Sequence, residues 1–349
     1  MDPLAASLAR SPALFPLAFD PATDQFTFIR LSETEYQQAS FLDARALAPQ
    51  TLRRVISRQE VEAAVAGSGL QEAANYIFHI GHVGSTLLSR LLGTHPQVFA
   101  LREPAILRTF AQMGCDPQST GGRWTHTEFE GRLGTVLKLL SRTFRPNQRA
   151  LVKTTSFVSE LAPQVLARPS RPSAIFIFVL AETYLPTILS APNSPTEARL
   201  LAKTRLARLH AKIGEARWRL HELGDGEMVA MSWACEMAAL AEAARGADER
   251  VLWLNFDEFL NNPAPWLGAA FTHVGIQTTP AQIDAILSGP DMGRYAKAPE
   301  YAYGVDLRSD LLRDARRNYA GQIENGLRWL KEAEAMVPTL RQVLTLAPN

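Results

Sequence analysis

Cysteine is scarce in this sequence, which excludes two classes of site. The chain of 349 residues contains two cysteines, Cys115 and Cys235. Two isolated cysteines are too few for the disulfide framework of a small secreted domain, and too few for a thiolate metal centre. We therefore expect both to be small buried apolar residues.

The chain also lacks an excess of charge of either sign. It carries 36 basic and 35 acidic residues, for a formal net charge of +1. A nearly neutral chain has no global field that would attract nucleic acid or an anionic membrane. Nucleic acid is therefore not an expected partner, and any anion site has to be local.

Long apolar runs are missing as well. No stretch of about eighteen residues is apolar and free of charge, so the sequence predicts no transmembrane segment. The opening residues have Asp2 where a secretory signal carries positive charge, and Pro3, Pro12 and Pro16 interrupt their apolar part. These features predict a cytoplasmic protein.

What the sequence does contain is an alternation of apolar segments with amphipathic stretches of helical length. The apolar segments after residue 74 are NYIFHI, VFAL, RALV, SAIFIFVLA and RVLWLNF. Strands that alternate with helices form a mainly parallel sheet covered on both faces. The predicted fold class is therefore α/β, with a mainly parallel sheet flanked by helices.

We predict an N-terminal appendage over residues 1–70 and one α/β domain over residues 71–349. In the appendage, FTFIRL at 26–31 is a strand candidate, and Ser32 with Glu35 forms a capping box for a following helix. No function is indicated for this appendage.

Several helices are predicted in the main domain. One covers 196–223 and carries basic residues that are expected on a solvated face. Others cover 227–245 and 309–330, and Thr279 with Pro280 begins one more.

The segment YIFHIGHVGST, residues 76–86, contains the first pattern that indicates chemistry. A strand is followed by a turn with Gly81 and Gly84, and then by Ser85 and Thr86 at the start of a helix. Backbone amides and the positive end of the helix dipole attract an anion there, and glycine lets it approach closely. The pattern predicts a phosphate cradle; an ordinary strand-to-helix turn is the alternative.

The same segment resembles the phosphosulfate loop of the sulfotransferase family, whose members transfer a sulfuryl group from 3'-phosphoadenosine 5'-phosphosulfate (PAPS) on a P-loop-like sheet. It is not a Walker A loop, because the lysine of that loop is absent. The family loop reads Arg or Lys, Ser, Gly, Thr, Thr and then apolar residues. The corresponding residues here are His82, Val83, Gly84, Ser85, Thr86 and Leu87. The resemblance implies that they bind the donor together with Gly81.

A carboxylate follows at the spacing of the tyrosylprotein sulfotransferase-like branch. In that branch a His-Pro pair, a short strand and a glutamate taken as the catalytic base follow the loop; here they are His95, Pro96, VFAL and Glu103. A carboxylate at the end of a neighbouring parallel strand faces the crevice and could take a proton from an acceptor hydroxyl. Alternatively, Glu103 is an acidic residue at a helix N-terminus beside Pro104.

Later segments extend the resemblance over most of residues 76–287. Lys153 would stand at the carboxyl end of a strand and, with His82, would offset charge on the bridging oxygen of the donor. Ser190 falls near a family serine that binds the 3'-phosphate. Arg294 and Lys297 in GRYAKAPEY resemble a basic loop that closes over the donor.

Two positions depart from the family pattern. His82 replaces a fixed cation; its ordinary pKa near ~6.5 leaves it partly charged at neutral pH, and a bound anion would raise that pKa. Leu180 and Glu182 stand in the segment where the family has an arginine that binds the 3'-phosphate. Three arginines elsewhere could replace it: Arg199, Arg205 and Arg294.

The resemblance implies a sulfotransferase that uses PAPS, needs no metal and acts on an unknown acceptor. A nucleotide-dependent kinase or NTPase remains open, because VLWLNFDE runs into Asp257 and Glu258 like a Walker B element and Ser85 or Thr86 could bind magnesium. Asp257 could instead cap a helix. A catalytically inactive nucleotide-binding relative is the third interpretation.

Overall fold

The chain begins with a small antiparallel sheet. The structure, a computed structural model, describes residues 7–8, 11–46, 51–115, 124–298, 300–338 and 340–341. Three strands, β1 (Leu14–Asp20), β2 (Gln25–Arg30) and β3 (Arg53–Ser57), pair in that order. Only β2 was predicted. Strand β1 was missed because it contains Pro16, which an edge strand tolerates; the register shifts between Pro16 and Ala18.

The main sheet has the five predicted strands. They are β4 (Asn75–His79), β5 (Val98–Arg102), β6 (Arg149–Lys153), β7 (Ala174–Phe178) and β8 (Val251–Asn255). The order is β5-β6-β4-β7-β8 and every pairing is parallel, so the predicted α/β fold is confirmed. Strands β5 and β6 lie on one side of β4, and β7 and β8 lie on the other. The carboxyl end of β4 is therefore the switch point at which open α/β sheets bind ligands.

Helices flank this sheet. Among the described residues they are α1 (Glu33–Gln38), α2 (Arg58–Ala66), α3 (Ser85–Gly93), α4 (Ala105–Cys115), α5 (His126–Leu140), α6 (Ala162–Leu166), α7 (Ala181–Ser190), α8 (Ser194–Ile213), α9 (Asp225–Ala244), α10 (Phe256–Asn261), α11 (Pro263–His273), α12 (Pro280–Leu287), α13 (Val305–Asn318) and α14 (Ala320–Met336). The capping box predicted at Ser32 is present, and the helix predicted to begin at Thr279 and Pro280 is capped by Thr279. No helix in these ranges is long and apolar enough to cross a membrane.

Two helix predictions need correction. The helix predicted over 196–223 ends at Ile213, because Gly214 adopts a left-handed conformation with φ of 78° and its amide donates to the carbonyl of His210. The helix predicted over 309–330 is two helices, α13 and α14, that meet at Tyr319 with φ of −119°. Neither break follows from the apolar periodicity.

The basic face of α8 was predicted to be solvated, but part of it is buried. Arg205 and Arg208 are buried and pair with Glu236 of α9 at 3.1 and 3.3 Å. Glu236 is itself fully buried, and each charge lies in a low-dielectric environment where an unpaired ion is costly. These arginines therefore hold α8 and α9 together.

Two buried arginines attach the N-terminal residues to the main sheet. Arg102, the last residue of β5, donates to three carbonyls at the end of α1, at 3.0 to 3.2 Å. Arg142 donates to the carbonyls of Leu8, Ser11 and Leu14, at 2.8 to 3.1 Å. Burial lowers the pKa of both to about 10. The hydrogen bonds that these buried cations donate within the described residues all go to carbonyls, most of them in the N-terminal segment, so the attachment depends on an intact N-terminal segment.

Leu42 continues this attachment up to the predicted catalytic carboxylate. Its amide donates to the carbonyl of Arg102 at 2.7 Å, and its carbonyl accepts from the amide of Ala105 at 3.0 Å. The N-terminal segment thus brackets Glu103 on both sides. The division at residue 70 stays a prediction.

Candidate active site

The turn after β4 has an unusual backbone. Gly81, His82 and Gly84 have positive φ values of 95°, 54° and 67°, which bend the chain so that α3 begins at Ser85. At Gly84 a Cβ atom would lie 2.0 Å from the ring of Phe256. Gly84 is therefore required both by the left-handed backbone and by the contact with that ring. The result is an open helix N-terminus directly above the sheet.

His79, which was not among the predicted site residues, holds this turn. Its Nδ1 accepts from the amide of Gly81 at 3.0 Å, so its Nε2 carries the proton and donates to the carbonyl of Thr154 at 2.8 Å. Burial keeps the pKa of His79 well below its ordinary value. The neutral ring thus ties the turn to the end of β6. A His two residues before a glycine turn carries no recognisable sequence signal.

A cavity of about 720 Å³, here called the loop cavity, lies over the N-terminus of α3. The predicted donor-binding residues that line it are His82, Val83, Gly84, Ser85, Thr86, Leu87, Ser190, Arg294 and Lys297. Thr86 Oγ1 is buried and has no hydrogen-bond partner in the described part of the chain. An unpaired hydroxyl at a helix N-terminus is a donor available to an anionic ligand.

The far wall of the loop cavity is aromatic and basic, and was not predicted. Tyr295, Tyr301, Tyr303 and Tyr319 line it, with the rings of Tyr295 and Tyr303 5.5 Å apart. Arg308 of α13 lines it too, and packs 5.5 Å from the ring of Phe256. Arg90 of α3 donates to the carbonyl of Ala296 at 2.7 Å, which fixes the segment that carries Lys297.

A second cavity of about 550 Å³, here called the glutamate cavity, lies on the other side of the turn and contains Glu103. Gly81, which was predicted to bind the donor with the rest of the loop, lines this cavity and not the loop cavity. The other walls include the cations Arg45, Arg108 and Arg205 and the apolar residues Phe41, Phe157 and Ile188. Phe41 and Arg45 come from the N-terminal appendage. The appendage, for which no function was predicted, therefore forms part of this cavity.

The two cavities share His82 and Lys297 as lining residues. Gly84, Ser85 and Thr86 face only the loop cavity, whereas Glu103 faces only the glutamate cavity. Two ligands, one in each cavity, would therefore both lie against His82 and Lys297.

Glu103 is buried and forms an ion pair with Lys153 Nζ. Its backbone has φ of 53°, and its amide donates to the carbonyl of Lys153 at 2.6 Å. Lys153 is fully buried; burial lowers its pKa to about 8, although the adjacent Glu103 acts in the opposite direction. Lys153 lines neither cavity, so the prediction that it faces the bridging oxygen needs correction. It holds Glu103 instead.

His82 is half-buried, and its Nε2 lies 3.0 Å from Ser194 Oγ. Burial, followed by the positive charges of Lys297 and Lys153, lowers the pKa of His82 to about 4. The ring is therefore neutral at pH 7 in the ligand-free protein. The expectation of a partly charged histidine is wrong for that state, although an anion beside the ring would still favour protonation.

The remaining candidates for the 3'-phosphate site fall in different places. Arg199 pairs with Asp225 at 2.6 Å and lines neither cavity, and Arg205 lines the glutamate cavity. Leu180 and Glu182 line neither cavity. Arg294 does line the loop cavity, as does Ser190, although the Ser190 hydroxyl donates to the carbonyl of Pro186 at 2.7 Å.

The Walker B interpretation of Asp257 is not supported by its contacts. The helix after β8 is capped by Asn255, whose side chain accepts from the amide of Asp257 at 3.0 Å, so Asp257 is not the N-cap either. Asp257 pairs with Arg308 at 2.6 Å. Within the described ranges, no group of three or more His, Cys, Asp or Glu is placed to hold a metal ion.

Comparisons with known proteins return structures but no sequence relatives. No family model matches the chain, and no curated protein matches it. A mouse sulfotransferase, SULT7A1 in complex with PAP, is 14% identical over 83% of this chain and 95% of its own, with a TM-score of 0.42. Sulfotransferase STF9 from Mycobacterium avium is 13% identical over 75% of this chain and 81% of its own, with a TM-score of 0.37.

A third match is the sulfotransferase domain from the curacin biosynthetic pathway, 13% identical over 66% of this chain and 83% of its own, with a TM-score of 0.38. At such identities and TM-scores these matches assign neither an activity nor site residues. The chain is similar in structure to sulfotransferases, and its chemistry depends on its own side chains.

Proposed function

We propose that this protein transfers a sulfuryl group from PAPS to a hydroxyl group of an acceptor. The observation that carries the proposal is the meeting of the two cavities at His82 and Lys297, with an anion-binding turn on one side and a buried carboxylate on the other. Such an arrangement suits a transfer between two ligands held end to end.

The loop cavity suits the nucleotide donor. The N-terminus of α3 and the unpaired Thr86 hydroxyl would hold the 5'-phosphosulfate, and Gly84 allows its close approach. Arg294, together with Arg308 in its ion pair with Asp257, would bind the 3'-phosphate in place of the family arginine, and the tyrosines of this cavity would offer flat surfaces to the adenine.

Glu103 is then the general base. It would accept the proton of an acceptor hydroxyl in the glutamate cavity while the oxygen forms a bond to sulfur and the bond from sulfur to the bridging phosphate oxygen breaks. Lys297 and a protonated His82 at the junction would offset the charge on the departing 3'-phosphoadenosine 5'-phosphate (PAP). Lys153 would act as a positioning residue for Glu103.

Calorimetric titration with PAP tests the donor. We expect saturable binding by the full chain, and sulfated product by mass spectrometry when PAPS and a panel of alcohols and phenols are supplied. Binding of ATP with magnesium in place of PAP would overturn the proposal in favour of phosphoryl transfer. Binding of PAP with no product from any acceptor would instead favour an inactive relative.

The affinity for PAP is expected to fall as pH rises, because the bound anion raises the pKa of His82 from about 4. Between the free and bound pKa values binding takes up a proton, so affinity changes by up to about tenfold per pH unit. Calorimetry in buffers of different ionisation enthalpy measures this uptake.

A fixed cation separates this effect from titration of the phosphates themselves. His82→Arg is expected to abolish the part of the pH dependence due to the protein. His221→Gln, at an exposed histidine 76% accessible, is the matched control and should behave as the wild type. Identical proton uptake on PAP binding by the wild type, His82→Arg and His221→Gln would contradict the proposal that His82 becomes protonated when the donor binds.

A further inference from the structure

Two arginine–phenylalanine pairs line the glutamate cavity. The guanidinium of Arg45 lies 3.5 Å from the centroid of the Phe41 ring, and that of Arg108 lies 5.7 Å from the centroid of the Phe157 ring. All four residues line this cavity and none lines the loop cavity. Each pair offers a flat apolar face and a positive charge side by side.

The charges of this cavity do not cancel. Its walls carry the cations Arg45, Arg108, Arg205 and Lys297 against the carboxylates Glu103 and Glu197. Among these groups Glu103 pairs with Lys153, Arg205 pairs with Glu236 and Arg45 pairs with Asp43. The charges left on the lining residues are those of Arg108 and Lys297 against Glu197. Arg108 has no carboxylate partner among the described residues. A negatively charged ligand would supply the missing partner.

Arg45 is oriented by its ion pair with Asp43. Asp43 accepts from its Nε at 3.0 Å, and the bonds of Leu42 to Arg102 and Ala105 anchor the same segment next to Glu103. The pKa of Arg45 is raised chiefly by Asp43 and to a smaller extent by Glu103, which places the guanidinium and the base within electrostatic reach of each other. The charge of Arg45 therefore faces the same space as the proton acceptor.

We propose that the acceptor is a small amphipathic anion, with a hydroxyl group, an apolar or aromatic body and a carboxylate or similar group recognised by Arg45 and Arg108. This inference rests on the proposed function, because it names the acceptor of that reaction. A cavity of about 550 Å³ is of the size that holds a small molecule. In this arrangement the body lies against Phe41 and Phe157 while the hydroxyl points to Glu103.

Matched pairs of probes test the charge requirement directly. We would titrate the full chain by calorimetry with para-hydroxyphenylpropanoate and its amide, and with omega-hydroxydecanoate and its amide. At least one carboxylate is expected to bind about tenfold more tightly than its amide. Arg45→Ala and Arg108→Ala should each reduce that preference about threefold or more, and leave binding of the amide nearly unchanged.

Arg199→Ala is the control, because Arg199 is an exposed arginine whose ion pair with Asp225 lies outside both cavities. Equal binding of carboxylates and amides, no binding of either carboxylate, or a preference that survives loss of both arginines would overturn the inference. Thermal unfolding of each variant shows that the fold is kept.

The same proteins distinguish failure of the inference from failure of the proposed function. Titration with PAP needs neither probe, and the probe titrations need no PAPS. A carboxylate preference without PAP binding would leave the anion site standing and remove sulfuryl transfer. Turnover of PAPS with amides as fast as with carboxylates would leave sulfuryl transfer standing and remove the anionic acceptor.

Discussion

Replacing Glu103 by glutamine is expected to lower turnover about a thousandfold while leaving the affinity for PAP within about twofold. Glutamine keeps the size of the side chain but cannot accept the acceptor proton. Glu103 faces only the glutamate cavity, so the groups that hold the donor are untouched. Steady-state rates with PAPS, together with calorimetry with PAP, measure the two quantities on the same protein.

Glu197→Gln is the matched control for Glu103→Gln, because Glu197 is the other carboxylate of the same cavity. Its substitution is expected to change turnover by less than about tenfold, since Glu197 is not the proposed proton acceptor and would act only through its charge. Turnover by Glu103→Gln at the wild-type rate would remove Glu103 from the mechanism.

The same substitution should alter stability through Lys153. Burial lowers the pKa of Lys153 to about 8 from an ordinary 10.5, so between these values the unfolded chain binds more protons and stability rises with pH. Without Glu103 the pKa falls further, and the rise should begin at lower pH. Thermal unfolding between neutral and alkaline pH measures this shift and identifies any loss of activity due to unfolding.

Gly84→Ala is expected to cost about 3 kcal/mol of stability or more and to reduce PAP affinity at least about a hundredfold. Two effects add: alanine is strained at φ of 67°, and its Cβ would lie 2.0 Å from the Phe256 ring. Relief requires the turn or Phe256 to move, and either movement displaces the amides of the anion site. Urea unfolding and PAP titration measure the two losses.

Two further variants separate the causes. Gly268→Ala places a methyl group inside α11, where no heavy atom lies within 4 Å, and should stabilise the protein by about 0.5 kcal/mol. Phe256→Ala combined with Gly84→Ala should relieve the overlap but not the backbone strain, and so recover part of the stability. Wild-type binding by Gly84→Ala alone would show that the turn does not hold the donor in this geometry.

The main sheet and the turn could be predicted because both are encoded locally. Strands buried on both faces appear as continuous apolar runs, and two glycines between a strand and a helix start are typical of a tight turn. The loop residues from His82 to Leu87 consequently line one cavity together, and His82 lines the second cavity as well. Their chemical roles remain predictions.

What could not be predicted depends on residues distant in sequence. The sequence pattern predicted Arg205 and Arg208 on a solvated face. In the fold both pair with Glu236, which is distant in sequence. Lys153 was expected to face the crevice, but it forms an ion pair with Glu103 and lines neither cavity. Arg308 lies just before the helix predicted over 309–330, and it belongs to α13, which begins at Val305. In each case a partner outside the local pattern decides where the charge lies.

The position of Leu42 between Arg102 and Ala105 has a consequence for the order of folding. During synthesis, residues 41–45 emerge well before the strand to which Leu42 binds, and Arg142 reaches its carbonyl partners later still. Contacts that span so much sequence form slowly, because the loop between them must first be closed. The pocket wall made by Phe41 and Arg45 is therefore expected to be completed among the last steps, after the parallel sheet has begun to assemble.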